Sequence, residues 1–572
     1  MLKYLKKYRL FCVCAPLFKM LEAMFDLLVP LVVASIIDAG IVAGDAGHVW
    51  RMAGVLIALG LVGLAAAVTA QYFAARAATG FAADVRHALF ERLTALSFPD
   101  VDRVGVPAMI TRMTSDVNQA QTGVNMALRL LLRSPFVVLG AMAMAFTIDT
   151  RCALIFLAVI AALGAVVAAI MKANIPMMQG VQRQLETVLA ATRENLTGVR
   201  VIRAFRREDA QYQAFRSKNR ALTARQRRAG HVSALLNPTT YVLINAAVIL
   251  LVRQGAIRVN EGALTTGAVV ALYNYMSQIL VELIKFASLT ITINKAWASW
   301  KRIADALALE PSMQSPPSLE RPLDPAAPAV QFRHVSLTYP GAGSPALEDV
   351  DFSVNPGQIV GIIGGTGAGK SSVAGLIPRF YDATAGEVLV NGVNVKDWPQ
   401  AALRGRIGIV MQKPSLFKGT IRDNLLWGRA DATDGDLLEA AQVAQAADVL
   451  AAKGGLDAPI EQNGGNLSGG QRQRLTVARA LARRPEILIL DDSTSALDMA
   501  TDSRLRRAIL ALDYRPTMFI ISQRAASIMS ADLILVLDDG RVVGKGQHPD
   551  LLANCPIYRE IYESQFGREA AV

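Results

Sequence analysis

Four stretches of this chain, Met52–Ala75, Cys152–Met171, Ala229–Val252 and Gly262–Val281, contain no Asp, Glu, Lys or Arg. Each reaches the ~20 residues that a helix needs to cross a bilayer. Two further segments complete the pattern. Pro135–Ile148 is uncharged and extends N-terminally through 127–132, and residues 11–41 are apolar but interrupted by charge. The sequence therefore predicts six spans, at about 11–41, 52–75, 127–148, 152–171, 229–252 and 262–287, within a membrane all-α domain of residues 1–310. Composition agrees: of 572 residues, 52% are hydrophobic and 19% charged, below the ~25% charge of ordinary soluble chains. Disorder is excluded by the same apolar content.

Charge sets the orientation. The formal net charge is +12, and residues 1–324 hold 34 Lys and Arg against 20 Asp and Glu. The basic excess lies in the apolar half, which argues for membrane topology rather than a nucleic-acid footprint. Lys3, Lys6, Lys7 and Arg9 precede the first span, which puts the N-terminus in the cytoplasm. The connections near Gly44–His48 and Thr147–Arg151 are short, whereas Lys172–His231 holds 13 Lys and Arg. Short loops fall outside and long basic segments inside. Ala77–Ser97 and Gln179–Ala229 read as helices running on into the cytosol. Asn195 begins a glycosylation sequon by pattern, but in a segment placed inside. Cys12, Cys14, Cys152 and Cys555 are too few for a disulfide scaffold and lack the second pair of a metal site.

A Pro-rich stretch, residues 311–328, reads as a linker. Beyond it, in 329–572, short β-branched strands alternate with helices, which predicts an α/β domain. Ile359–Ile363 reads as a strand and leads into Gly364, Gly365, Thr366, Gly367, Ala368, Gly369, Lys370 and Ser371, with Ser372 opening a helix. This is the G-x-x-x-x-G-K-[ST] phosphate loop in its strand–loop–helix context. Small residues let backbone N–H groups close around phosphates at a helix N-terminus. Lys370 would reach the phosphates, and Ser371 would bind Mg²⁺. A second apolar strand, Glu486–Leu490, ends at Asp491, the natural Mg²⁺ carboxylate. Between the two comes Leu467-Ser-Gly-Gly-Gln471.

At these residues the chain resembles the ABC transporters, specifically exporter-type half-transporters with six spans fused to one P-loop nucleotide-binding domain. The resemblance covers essentially the whole chain. It implies ATP and Mg²⁺ as cofactors. Tyr339 would stack on adenine, and Gln412 would touch Mg²⁺ and couple to the spans. Leu467, Ser468, Gly469, Gly470 and Gln471 would cap the γ-phosphate held by the opposite subunit. Ser495 to Asp498 match the D-loop. Thr111–Asp116 and Leu196–Phe205 look like the two coupling helices.

Two departures from the family pattern follow. The family places Glu after the aspartate that ends the second strand, where it holds the attacking water as general base; here that residue is Asp492. The family places His at the end of the next strand, against the γ-phosphate; here Gln523 follows Met518–Ser522. With phosphate loop and signature intact, both changes resemble the degenerate half of a heterodimeric multidrug-type exporter in the bacterial cytoplasmic membrane. Its sister half-transporter would carry the Glu and the His. A slow homodimer, a lipid flippase, an importer and a regulatory ATP-binding variant stand as alternatives. A third departure is Pro459, in Ala458–Gly464 before the signature.

The spans speak to substrate at one place. Lys19, Glu22 and Asp26 share a helical face, and acids at this depth face a cavity or a partner. They read either as a cavity attracting cationic amphiphiles or as a structural network. Glu282 and Lys285 read as an i,i+3 pair.

Overall fold

The computed structural model of the chain describes residues 1–319, 323–493 and 497–567. It divides into two units: Met1–Thr94 with Pro107–Leu309, and Ala95–Val106 with Glu310–Val572.

The first unit is all-helical. Six helical stretches, Leu2–Val42, Ala46–Thr94, Val106–Ile148, Thr150–Thr197, Glu208–Asn260 and Thr266–Leu307, are long and apolar enough to cross a membrane, as the uncharged runs predict. The helix Ala46–Thr94 has 49 residues. At 1.5 Å each that is about 74 Å, more than twice the ~30 Å of hydrocarbon in a bilayer. Its C-terminal half buries Ala70, Ala74, Ala77, Ala78 and Ala82, small residues whose spacing lets neighbouring helices approach closely. A closer approach still occurs at Gly123, where an added Cβ would stand 2.1 Å from the Ala296 Cβ. In the first span Pro16 and Pro30 lie inside the helix Arg9–Ser35, which each deprive of a backbone donor. The Tyr275 hydroxyl donates to the Leu27 carbonyl at 2.7 Å. At the other end Asp149 caps the fourth helix through the Cys152 N–H at 2.9 Å and receives Arg258 Nη2 at 2.9 Å.

The second unit is α/β. Its strands are β1 (Val330–Leu337), β2 (Leu347–Val354), β3 (Ile359–Gly364), β4 (Ala385–Val390), β5 (Val393–Asn394), β6 (Ile407–Val410), β7 (Gly419–Thr420), β8 (Pro459–Ile460), β9 (Ile487–Asp491), β10 (Thr517–Ile521), β11 (Leu533–Asp538) and β12 (Arg541–Gly546). A six-stranded sheet runs β12-β11-β3-β10-β9-β6; its ladders are parallel except for β11–β12. Strands β9 and β10 are buried at every residue, the pattern of parallel strands covered on both faces. An antiparallel sheet, β2-β1-β4-β5, stands beside it. Two apolar cores fill this unit, one around Phe332, Phe352 and Trp398, the other around the helix Gly469–Ala482 and helices near it.

The second unit includes a piece of chain from between the second and third spans. Ser97 precedes the short helix Phe98–Val104, Pro99 lies in its first turn, and Gly105 ends it at φ +78°. Phe98 stacks on Phe380 with centroids 4.4 Å apart, and the Arg404 guanidinium lies over both rings. The buried Asp100 accepts from the Ser312 N–H at 2.9 Å and from the hydroxyls of Ser312 and Ser97. Burial alone would raise the Asp100 pKa, but these bonds hold it below the usual carboxylate range. The segment docked on the nucleotide unit is thus Phe98–Val104. Thr111–Asp116, to which the sequence assigns that role, continues the third helical stretch in the first unit. The second expected element is present as a helix at Val199–Ala204, with Leu196, Val201 and Phe205 exposed.

Candidate nucleotide site

The C-terminal ends of β3, β9 and β10 converge, and in open α/β sheets this edge is where ligands bind. The phosphate loop leaves β3 at Gly364, and its helix runs Lys370–Leu376. The turn requires glycine at Gly369: φ is +91°, and a Cβ there would lie 2.5 Å from the Ala346 carbonyl oxygen. Gly367 is also left-handed, at +86°. Gly365 and Thr366 sit at the exposed rim, and Ala368 is buried below them. The Lys370 ammonium donates to the carbonyls of Gly364 at 2.8 Å and Gly365 at 2.6 Å. Burial lowers its pKa, and the charges of Asp492 and Asp491 oppose that shift.

The structure brings Ser371 and Asp491 together. The Ser371 hydroxyl donates to Asp491 Oδ1 at 3.1 Å, although 120 residues separate them in the chain. Burial raises the Asp491 pKa, and the Ser371 bond opposes it. A hydroxyl beside a buried carboxylate is the oxygen donor set that Mg²⁺ prefers, so the residues fit that ion. Gln412 follows β6, and its Nε2 lies 3.4 Å from Asp492 Oδ2. Asp492 sits just past β9 with φ +45°, a left-handed backbone that Asp tolerates better than most residues. Its N–H donates to the Ile521 carbonyl at 2.9 Å, which ties it to the end of β10.

Tyr339 lies next to the loop. Its hydroxyl is 2.9 Å from Ser372 Oγ, and its ring meets Tyr381 edge-on at 4.9 Å. Tyr381 in turn donates to Asp102 Oδ2 at 2.6 Å. A polar and aromatic path therefore runs from the phosphate-loop helix to the docked segment Phe98–Val104. The pattern Ser97-Phe98-Pro99-Asp100 before Gly105 marks a helix start and stop in the sequence, but not what that helix docks on.

Ser468 caps the helix Gly469–Ala482. The Gln471 N–H donates to Ser468 Oγ at 3.3 Å, and the Ser468 N–H donates to Gln471 Oε1 at 2.9 Å, a reciprocal capping box. Leu467 is buried beneath, while Gly469 has open space where a side chain would stand. No side-chain hydrogen bond among the described residues joins this signature to the phosphate loop. Asp498 caps the helix Met499–Leu510 through the Thr501 N–H at 3.1 Å, and bonding to Thr501 lowers its pKa. Ser495, the D-loop serine, lies outside the described residues.

Gln523 is exposed just past β10. Its backbone is held by Gln565, a residue in no recognisable motif. Gln565 Nε2 donates to the Gln523 carbonyl at 2.8 Å, and Gln565 Oε1 accepts from the Ala525 N–H at 2.9 Å. One amide from the C-terminal helix Pro556–Phe566 thus clamps the switch turn on two sides.

Comparison with known proteins agrees with this geometry. A model of the ABC transporter transmembrane region matches residues 12–283, and an ABC transporter model matches residues 347–495. The chain is 35% identical over 571 residues to an ABC transporter ATP-binding protein, YfiB, of Bacillus subtilis, covering 100% of this chain and 99% of the relative. It is 32% identical over 492 residues to the ATP-dependent lipid A-core flippase of Pseudomonas fluorescens, covering 86% of this chain and 81% of that one. Its fold is similar to that of a bacterial Atm1-family ABC exporter with ATP bound, with a TM-score of 0.81 at 24% identity over 98% of each chain.

Proposed function

This chain belongs to the ABC transporters, and on that premise we propose that it is one half of a heterodimeric exporter whose own ATP site hydrolyses poorly. It is a multi-pass membrane half-transporter with an ATP-binding domain. The proposed reading adds a sister chain, an amphipathic small-molecule substrate, and the bacterial cytoplasmic membrane with both termini inside. The observation that carries it is the pair Asp492 and Gln523 beside an intact phosphate loop and signature.

Lys370 would hold the phosphates, with the loop N–H groups closing around them. Ser371 and Asp491 would hold Mg²⁺, with Gln412 beside them; the bound ion neutralises charge on the transferring phosphoryl group. Asp492 would stand as the proton acceptor for the attacking water. One methylene fewer than Glu draws its carboxylate back by ~1.5 Å, and a misplacement of ~1 Å costs on the order of a hundredfold. Gln523 offers no titratable group to the γ-phosphate. Across the dimer, Ser468 and the first N–H groups of the helix Gly469–Ala482 would complete the sister chain's site, because a helix start leaves donors free and favours anions. An amphipathic cargo is supported by the relative that is a lipid A-core flippase.

The test is the partner. The tagged chain is extracted gently from its native membrane, and mass spectrometry identifies what co-purifies in equal amount. A sister half-transporter with Glu and His at the corresponding positions is the expected result. Recovery of this chain paired only with itself would overturn the reading.

A further inference from the structure

The charged residues of the first span meet a basic residue of the third. Arg133, at the start of the helix Arg133–Ile148, pairs with Asp26 at 2.8 Å, with Glu22 at 3.8 Å and with Glu282. Glu22 also pairs with Lys19. Glu282 receives Lys285 at 2.9 Å and the Ser134 hydroxyl at 2.8 Å. Lys19, Arg133 and Lys285 balance Glu22, Asp26 and Glu282, so the cluster carries no net charge. This removes the ground for a site that attracts cations alone.

The six side chains are not equally enclosed. Those of Lys19, Glu22, Arg133 and Glu282 are between 5% and 14% exposed, whereas Asp26 is 46% and Lys285 45% exposed. Both open groups line one cavity of about 550 Å³. Its walls add Asn274, Ser277 and Gln278, and the apolar Val29, Pro30 and Val33. Gln278 Nε2 donates to the Asp26 carbonyl at 3.1 Å, while its buried Oε1 has no partner. A cavity with one open carboxylate, one open ammonium and an apolar wall matches one ligand chemistry.

We propose that this cavity takes the head group of a zwitterionic amphiphile, its cationic part against Asp26 and its anionic part against Lys285, with the tail along Val29, Pro30 and Val33. The inner pairs hold the two outer groups in place, so each presents its open side to the cavity. The proposal rests on the exporter reading above and sharpens it to a substrate class.

The test uses the complete transporter, this chain with its native partner, in lipid nanodiscs. Four amphiphiles with the same octyl tail are compared by stimulation of ATP turnover: a phosphocholine, a trimethylammonium, a phosphate and a glucoside. The expected order puts the phosphocholine lowest in half-saturating concentration. Asp26→Asn should raise that concentration about fivefold for the zwitterion and the cation but not for the anion. Lys285→Gln should raise it by a similar factor for the zwitterion and the anion but not for the cation. Damage to packing alone would shift all four together, and that result overturns the proposal. Stimulation without any head-group preference also overturns it and leaves the exporter reading intact. An intact ATPase that none of the four stimulates, with no other compound transported, fails both.

Discussion

The nucleotide unit and the membrane unit build their polar sites by opposite routes. In the first, the phosphate loop is one contiguous run, Gly364–Ser371, shaped by backbone angles that only certain residues accept. In the second, the charged network joins the first, third and sixth spans through side chains: Arg133 meets Asp26 107 residues away and Glu282 149 residues away. A site made of backbone leaves a motif in the sequence. A site made of side chains from distant helices leaves only scattered charges in apolar runs.

Changes at five positions sharpen or break this contrast. The largest expected effect is at Arg133. Arg133→Ala strands buried carboxylates and should cost about 3–5 kcal/mol, read as a lowered unfolding midpoint of the solubilised complex with ATP binding retained. An unchanged midpoint would mean that the network does not hold the spans together. Next, Ser468→Arg fills the open helix start and should cut ATP turnover by the complex on the order of a hundredfold, while nucleotide still binds at Lys370. Third, Phe98→Ala removes the stacked pair with Phe380 and should loosen the docked segment by about 1–3 kcal/mol. Hydrogen exchange across residues 95–106 would report it, together with fewer molecules transported per ATP.

Smaller effects belong to the switch turn and the degenerate acid. Gln565→Ala removes two hydrogen bonds worth about 1 kcal/mol each, and should shorten ATP dwell at this chain's site several-fold. Gln565→Glu keeps the acceptor facing Ala525 and should recover part of the loss. Asp492→Asn should change transport less than about threefold, since the working site belongs to the sister chain. A large loss there would overturn the degenerate-site reading.

Much of the fold was legible in the sequence. The long apolar runs announce six spans, and the apolar stretches Ile487–Leu490 and Met518–Ile521 announce buried strands. At the nucleotide site, Lys370, Ser371 and Asp491 could be named because strand ends and loop glycines force them there. Three things were not legible. Arg133 looks like any basic residue flanking a span until Glu282 is seen against it. Ser97, Pro99 and Gly105 mark Phe98–Val104 as a short helix, but nothing local says whether it or Thr111–Asp116 meets the nucleotide unit. Gln565 lies in an ordinary amphipathic helix, and its role comes only from the fold that brings it to Gln523.

The Gln565 clamp bonds to the carbonyl of Gln523 and the N–H of Ala525, and so to main-chain atoms alone. It is indifferent to which side chain stands at 523. In the genetic code a glutamine codon becomes a histidine codon by a single base, and an aspartate codon becomes a glutamate codon in the same way. Both departures are therefore within easy mutational reach in either direction, without rebuilding the turn that carries the switch. A duplicated half-transporter folded in this way could give up its catalytic pair while the scaffold beneath stayed under selection, and a descendant could regain it.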